Sequence, residues 1–122
     1  MKLYLGIKQT ASHLHMAALT SQGEAVLKTC LPLSLLSPQA LVSSIKAIQQ
    51  AFAASIRIAT CLEDDYQKLL LEPIQKEFSC VRPFQPSIFH STQDLIPDQD
   101  PYAPYDPYRY PLLLAILDSL GQ

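Results

Sequence analysis

The sequence predicts an α/β fold, a mixed five-stranded sheet with flanking helices, on three observations. Three short strand-like stretches follow one another over residues 2–30. An amphipathic helix pattern comes next, and two further strand-like stretches then flank a second helix pattern. Consecutive strands followed by a helix and more strands indicate a mixed sheet with helices packed on it. We expect the first three strands to be antiparallel.

The three opening strands are Lys2–Ile7, His13–Leu19 and Ala25–Cys30. Residues 20–24 join the second strand to the third as a hairpin loop. Gly23 lies in this loop, where it can take the positive φ that such a turn needs.

The first helix has a clear beginning and one apolar stripe. Ser37 is typical of an N-cap and Pro38 of a first helical position, where a missing N–H costs nothing. We expect the helix to end near Ala54. Its apolar residues recur at spacings of four, three and four, which predicts one buried face. These residues are Leu41, Ile45, Ile48 and Phe52.

The fourth strand, Ile56–Leu62, is β-branched and mostly apolar, as is typical of a central buried strand. Acidic residues follow it directly. Asp64 or Asp65 can cap a second helix from Tyr66 to about Phe78.

Two prolines shape the next elements. Pro73 predicts a break or kink near the middle of the second helix, because proline lacks the N–H of the helical ladder. The fifth strand, Ser79–Phe84, is expected at an edge of the sheet because it contains Pro83.

Residues 85–106 show no periodicity and form a long Pro/Tyr/Asp-rich loop, a type of segment that is usually functional or disordered. A three-residue repeat places Tyr102, Tyr105 and Tyr108 each directly after a proline. Polyproline II has three residues per turn, so these tyrosines would line one side. We interpret them as protein-partner-binding residues, because tyrosine is enriched at binding hot spots. A rigid loop packed over the sheet and stacking on single-stranded bases are the alternatives.

The chain ends in a helix with Asp106 as its expected cap and Pro107 next, terminated by Gly121. Its apolar positions are Leu113, Ile116, Leu117 and Leu120. Over the whole chain, the residues expected in the core are Ile7, Leu14, Leu27, Ile45, Ile48, Phe52, Ile58, Leu69, Ile116 and Leu117.

Composition indicates one globular domain over residues 1–122, with 48% hydrophobic and 16% charged residues. The net charge of −2 gives no basic excess that would advertise nucleic acid. No apolar run approaches the roughly 20 residues of a membrane helix, and no signal-peptide pattern opens the chain, so we expect a cytoplasmic location without membrane contact. Cys30, Cys61 and Cys80 are widely spaced and are expected to be buried free thiols.

The histidines give two weaker patterns. His13 and His15 alternate on the second strand, so both point to one face of the sheet. Two histidines in this arrangement can share a metal ion, but without a third ligand nearby in sequence a solvated strand face is favoured. His90 lies near acidic residues of the long loop, and a solvated acidic loop is the interpretation there. Those acidic residues are Asp94, Asp98 and Asp100.

The order β-β-β-α-β-α-β-(long loop)-α resembles the ribonuclease-H-like superfold over nearly the whole chain. RuvC-type Holliday junction resolvases, YqgF-type nucleases, several transposases and the actin-like ATPases share that superfold. The motifs are residues 5–10 (Leu-Gly-Ile-Lys-Gln-Thr), the Gly23 turn, the acid after the fourth strand and the acid before the last helix. The pattern is most similar to that of the RuvC and YqgF proteins.

The resemblance to RuvC-like nucleases implies a two-metal site. In those enzymes an aspartate ends the first strand, a glutamate ends the fourth, and further acids lie at the last helix, so that clustered carboxylates hold Mg²⁺ ions. Glu63 and Asp106 match the later acids and would be the metal ligands. Lys8 takes the place of the first aspartate, and its ammonium would repel a metal ion. The implied catalytic set is therefore Glu63, Asp106 and Lys8, with Mg²⁺ as a cofactor only if the site is active. Helix capping by residues 63–65 is the structural alternative.

Two function hypotheses follow. The first is a RuvC-like, Holliday junction resolvase-like nucleic-acid-processing protein with an altered or lost metal site, acting on branched or single-stranded nucleic acid. The second is a non-catalytic ribonuclease-H-like or actin-like module that binds a protein partner through the Pro-Tyr loop. A homodimer is compatible with both. Nucleotide binding at residues 6–12 is disfavoured, because a phosphate-binding turn relies on more small residues than are present.

Overall fold

The computed structural model describes residues 1–88 and 106–121. Five strands form one sheet: β1 (Lys2–Gln9), β2 (His13–Thr20), β3 (Ala25–Pro32), β4 (Ser55–Cys61) and β5 (Val81–Pro83). The helices in this part of the chain are α1 (Pro38–Phe52), α2 (Asp64–Glu77) and α3 (Arg109–Ser119), and a short 3₁₀ turn covers Leu33–Leu35. No helix within these ranges combines the length and the apolar character needed to cross a lipid bilayer.

The strand order is β3-β2-β1-β4-β5. β1, β2 and β3 pair antiparallel, whereas β4 pairs parallel with β1 and β5 pairs parallel with β4. The prediction of a mixed five-stranded sheet with three antiparallel strands is confirmed. β5 lies at the edge, as its proline predicted.

The hairpin between β2 and β3 turns at Gly23, whose φ is +84°. The Gly23 N–H donates to the carbonyl of Thr20 at 3.0 Å, and the Thr20 N–H donates to the carbonyl of Glu24 at 2.9 Å. These bonds confirm the predicted turn.

α1 begins and ends where its sequence indicates. The Ser37 Oγ accepts a hydrogen bond from the Ala40 N–H at 3.0 Å, and Pro38 is the first helical residue. Ala53 closes the helix with a left-handed backbone, at φ 48°. The stripe is buried except at Phe52, which is half-buried and packs against the core.

α2 corrects two expectations. The helix already starts at Asp64, with Glu63 as its N-cap and no side-chain capping bond, so neither Asp64 nor Asp65 is the cap. Instead the Glu63 N–H donates to the Oε1 atom of buried Gln9, 3.0 Å away, which ties the end of β1 to the start of α2. The helix also continues through Pro73 rather than dividing into two pieces.

The sheet separates two layers of helices. One face carries the main core, in which β1 contributes Leu3, Leu5 and Ile7, and α1 and α2 cover it. The other face packs against α3, where Leu114 meets Ala59 and Cys61. We call these the α1/α2 face and the α3 face.

The core expectation was right for most residues and wrong for Leu69, which is 49% exposed on α2 next to fully buried Leu70. Leu27 and Ile116 are only half-buried. Leu120 lies beyond α3 and is exposed, so it is not part of a buried helix face. The expected core residues that are buried are Ile7, Leu14, Ile45, Ile48, Ile58 and Leu117.

Gly6 sets the distance between α3 and the sheet. A β-carbon on Gly6 would overlap the carbonyl oxygen of Pro111 in the first turn of α3. The register places Ala17 and Ala59 on either side of Gly6. This row of small residues lets the helix backbone rest directly on the sheet.

Candidate functional site on the α3 face

Lys8 lies at the carboxyl end of β1, on the α3 face. Side chains alternate along a strand, and Lys8 therefore points away from buried Ile7. Its register partners are His15 on β2 and Cys61 on β4, and the partner of His15 is Cys30 on β3. Four strands thus bring Cys30, His15, Lys8 and Cys61 into one line, which we call the Lys8 row.

The Lys8 ammonium keeps close to the backbone at the end of its strand. The Nζ atom donates to the carbonyl of Gln9 at 2.6 Å, and the side chain is half-buried. A lysine here supplies a positive charge and N–H donors, and it has no lone pair to offer a metal ion while it is protonated.

Tyr108, the residue just before α3, lies over the Lys8 row. Its ring meets the His15 ring edge to face, with centroids 5.4 Å apart and an interplanar angle of 81°. Burial raises the pKa of the Tyr108 hydroxyl, and a hydrogen bond with Cys30 raises it further. The phenol is therefore a protonated group in contact with both β2 and β3.

His15 is buried, so the expected solvated strand face is wrong at this position. Only 9% of the residue is exposed, and its Nδ1 atom is buried without a hydrogen-bond partner. His13 does share the face with it, at 5.8 Å between ring centroids, and the His13 Nδ1 atom lies 2.7 Å from the Ser12 Oγ atom. Burial, reinforced by His13 and Lys8, lowers the pKa of His15 below its ordinary value.

The three cysteines are free thiols in different environments. Cys61 is buried, and burial raises its pKa although Lys8 acts in the opposite direction. Cys80 is half-buried, whereas Cys30 is exposed, which corrects the expectation that all three are buried. Cys61 is therefore a neutral, inert neighbour of Lys8.

The two predicted acidic ligands lie at the ends of helices. Glu63 is exposed at the start of α2. Asp106 is exposed just before α3, where its Oδ1 atom accepts a hydrogen bond from the Tyr108 N–H at 2.9 Å, but it is not the helix cap that was expected. Formally, α3 begins at Arg109 with Tyr108 as its N-cap.

Within residues 1–88 and 106–121, no three histidine, cysteine, aspartate or glutamate side chains are close enough together to hold a metal ion. Metal binding by Glu63 and Asp106 stays a prediction. Tyr102, Tyr105 and the group around His90 lie outside the described residues.

Sequence reasoning missed an ion pair at the opposite end of α3. The Arg57 Nη2 atom lies 3.4 Å from the Oδ1 atom of Asp118, a residue that is only 3% exposed. The hydrogen bond to Asp118 and its charge raise the pKa of Arg57. Strand alternation between Ile56 and Ile58 could have placed Arg57 on the α3 face, but its partner required the packed helix.

No protein-family model matches the chain, and no curated protein matches it. Among solved structures, T. thermophilus RuvC in complex with a Holliday junction substrate is similar, with a TM-score of 0.57 and 12% identity, and the match covers 99% of this chain and 97% of that one. A ROK family transcriptional regulator, homolog of the E. coli MLC protein, is similar with a TM-score of 0.54 and 17% identity over 77% of this chain. This chain spans 30% of the regulator. These similarities confirm the α/β fold, at a level of likeness that RuvC and the ROK regulator share with this chain.

Proposed function

We propose that this chain is a RuvC-like nucleic-acid-processing protein with an altered or lost metal site, which binds branched or single-stranded nucleic acid. The observation that carries the proposal is Lys8 at the carboxyl end of β1, flanked across the sheet by His15 and Cys61. The RuvC fold supplies the context, since it spans nearly the full length of both chains.

The charge of Lys8 is the physical reason to expect impaired metal-dependent cleavage. At an effective dielectric constant near 20, an ammonium about 4 Å from a divalent ion costs roughly 8 kcal/mol, twice the value for two unit charges. The cost is an upper bound, because the flexible lysine stem can carry the charge toward solvent. The same ammonium would attract a phosphate of a nucleic acid backbone.

Cleavage assays test the altered site. The substrates are Holliday junctions, flaps and single strands, each with Mg²⁺ and with Mn²⁺. We expect no efficient cleavage by the wild type and a gain in Lys8→Asp. Lys2→Asp is the matched control, because Lys2 lies at the exposed beginning of the same strand and makes the same charge change. Robust wild-type cleavage that disappears in Glu63→Gln would overturn the proposal.

Binding assays test the nucleic-acid part separately. Affinity for junctions and single strands should fall as the salt concentration rises, because bound phosphates release counterions. Lys8→Met should reduce the slope of log K against log salt by about one, as expected for one lost phosphate contact, while Lys2→Met should not. Salt-independent or absent binding would contradict this part of the proposal.

The second candidate is a non-catalytic module that binds a protein partner or a second copy of the chain. It is favoured by the similarity to a region that makes up 30% of a larger ROK regulator. In this proposal the partner-binding residues are Tyr102, Tyr105 and Tyr108. A stable complex that forms without any affinity for nucleic acid, and that is lost when Tyr102 and Tyr105 are replaced by serine, would favour it over the first.

A further inference from the structure

His15 is a buried imidazole beside Lys8, and the proposed function assigns no chemical role to its ring. Its Nδ1 atom has no hydrogen-bond partner, and its ring contacts the ring of Tyr108. A neutral imidazole has one N–H donor, whereas an imidazolium has two donors and a charge to satisfy. Burying such a charge without partners is strongly unfavourable, so this environment suits the neutral ring.

The groups around His15 come from every element packed against it. Lys8 faces it from β1, His13 lies beside it on β2, the Cys30 thiol faces it from β3, and the Tyr108 phenol covers it at the start of α3. Within the described residues, His13 and Lys8 both act to disfavour the protonation of His15. Burial acts in the same direction and is the larger cause.

Tyr108 connects His15 to the backbone of α3. Its N–H donates to the carboxylate of Asp106 at 2.9 Å, and its carbonyl accepts from the Leu112 N–H at 3.0 Å, which closes the first turn. A displacement of the Tyr108 ring therefore disturbs the beginning of the helix. The opposite end is held by Asp118 and Arg57, so it does not depend on His15.

We propose that His15 is a pH-sensitive switch that holds Tyr108 and the first turn of α3 on the sheet when neutral and releases them when protonated. The imidazolium needs water or another acceptor at Nδ1, and it gains that access when Tyr108 moves away. The inference is independent of nucleic-acid binding, so its failure leaves the proposed function untouched.

An NMR titration from pH 8 to pH 5 tests the switch. The ring protons of His15 report its protonation, and the Leu112 amide reports the first turn of α3 through exchange with solvent, corrected for the intrinsic pH dependence. As His15 protonates, we expect the protection factor of Leu112 to fall by about tenfold, a local opening rather than global unfolding. The Ile48 amide in α1 should keep its protection over the same range.

Two variants make the result specific. His15→Gln cannot take the charge, so Leu112 should keep its protection at pH 5. His13→Gln removes a neighbour that disfavours protonation, so the response should remain and its midpoint should move to higher pH. Should His15→Gln fail to fold, the wild-type and His13→Gln titrations still decide. Unchanged protection of Leu112 across the wild-type titration, or an equal loss in His15→Gln, would overturn the inference.

Discussion

On the α1/α2 face, β1 contributes Leu3, Leu5 and Ile7, all fully buried beneath two helices. On the α3 face, the same strand contributes Gly6 and Lys8. The first set fills space with large apolar side chains, whereas the second lets a helix backbone touch the sheet and leaves a charge at the strand end. The free energy of unfolding should therefore depend on the volume of buried side chains on the α1/α2 face. On the α3 face it should depend on the space between helix and sheet and on the charged side chains.

On the α3 face, polar groups lie on both sides of the central row of small residues, Gly6, Ala17 and Ala59. Lys8 and His15 lie at one end of α3, and Arg57 with Asp118 lies at the other. Among the described residues, the buried ionisable side chains are His15, Cys61 and Asp118, and all three are on this face. The candidate site around Lys8 and the contact between His15 and Tyr108 thus lie on the same face, the one with more polar side chains.

The largest effect should come from removing the clearance at Gly6. A valine there would meet the Pro111 carbonyl, a backbone group that cannot move without the helix. We expect Gly6→Val to destabilise the domain by about 4 kcal/mol or more, or to prevent folding, which is at the upper end for overpacking. Urea unfolding followed by circular dichroism measures it.

Gly23→Ala is the matched control for Gly6→Val. It has open space around it and a φ of +84°, so only backbone strain should matter. We expect a cost of about 1 kcal/mol, in line with the preference of that conformation for glycine. Equal costs at the two glycines would show that α3 does not rest on Gly6.

The α1/α2 face should respond to lost volume. Leu70 is fully buried, whereas the neighbouring Leu69 is 49% exposed. We expect Leu70→Ala to cost about 3 kcal/mol, within the usual range for a buried leucine, and Leu69→Ala to cost less than about 1 kcal/mol. The two variants remove the same atoms from adjacent positions of α2, so a comparable loss from both would contradict the described orientation of this helix.

Leu69 and Leu70 also show which part of the packing could not be predicted from the sequence. The stripe of α1 was predictable because its apolar residues lie on one face. The three consecutive leucines at residues 69–71 show no such periodicity, so they do not indicate which of them faces the core. The apolar residues of α3 surround the helix on most sides, and Ile116 was therefore expected to be buried although it is only half-buried. The strand order could be predicted from the order of elements, but the approach of Pro111 to Gly6 depends on packing.

The candidate site was predictable in part for the same reason. Lys8 stood out from its local motif at the end of the first strand. His15 lies seven residues from Lys8 in sequence, and Cys61 lies much farther away. Only the strand register brings both residues beside Lys8. The bond from Glu63 to Gln9 likewise required knowing that α2 starts next to the end of β1.

The contribution of an ion pair to stability should depend on how deeply its charged groups are buried rather than on the distance between them. Arg57→Met would leave the carboxylate of Asp118 buried without its partner, and we expect a cost of about 2 kcal/mol, less than for a fully buried pair because the Arg57 side chain is 37% exposed. The Lys46 Nζ atom of α1 lies 2.9 Å from the Oε2 atom of Glu77 in α2, but both side chains are about half exposed. Lys46→Met should therefore cost about 0.5 kcal/mol or less. Thermal unfolding of both variants makes the comparison, and a larger loss for the shorter, exposed pair would contradict it.

The smallest effect should be the pH dependence that His15 gives to the α3 face. Burial keeps its pKa in the folded chain below the ordinary value of 6.5, so the unfolded chain binds this proton more tightly. The stability that depends on neutral His15 is therefore fully present above pH 6.5, and it falls as the pH drops from 6.5 through the lower pKa of the folded state. Since carboxylates elsewhere also titrate, the informative quantity is the difference in unfolding free energy between the wild type and His15→Gln at each pH. We expect this difference to shift against the wild type between pH 7.5 and pH 5. A shift in its favour on acidification would mean that the imidazolium is stabilised in the folded chain, for example over the ring of Tyr108, and that the α3 face accommodates this charge.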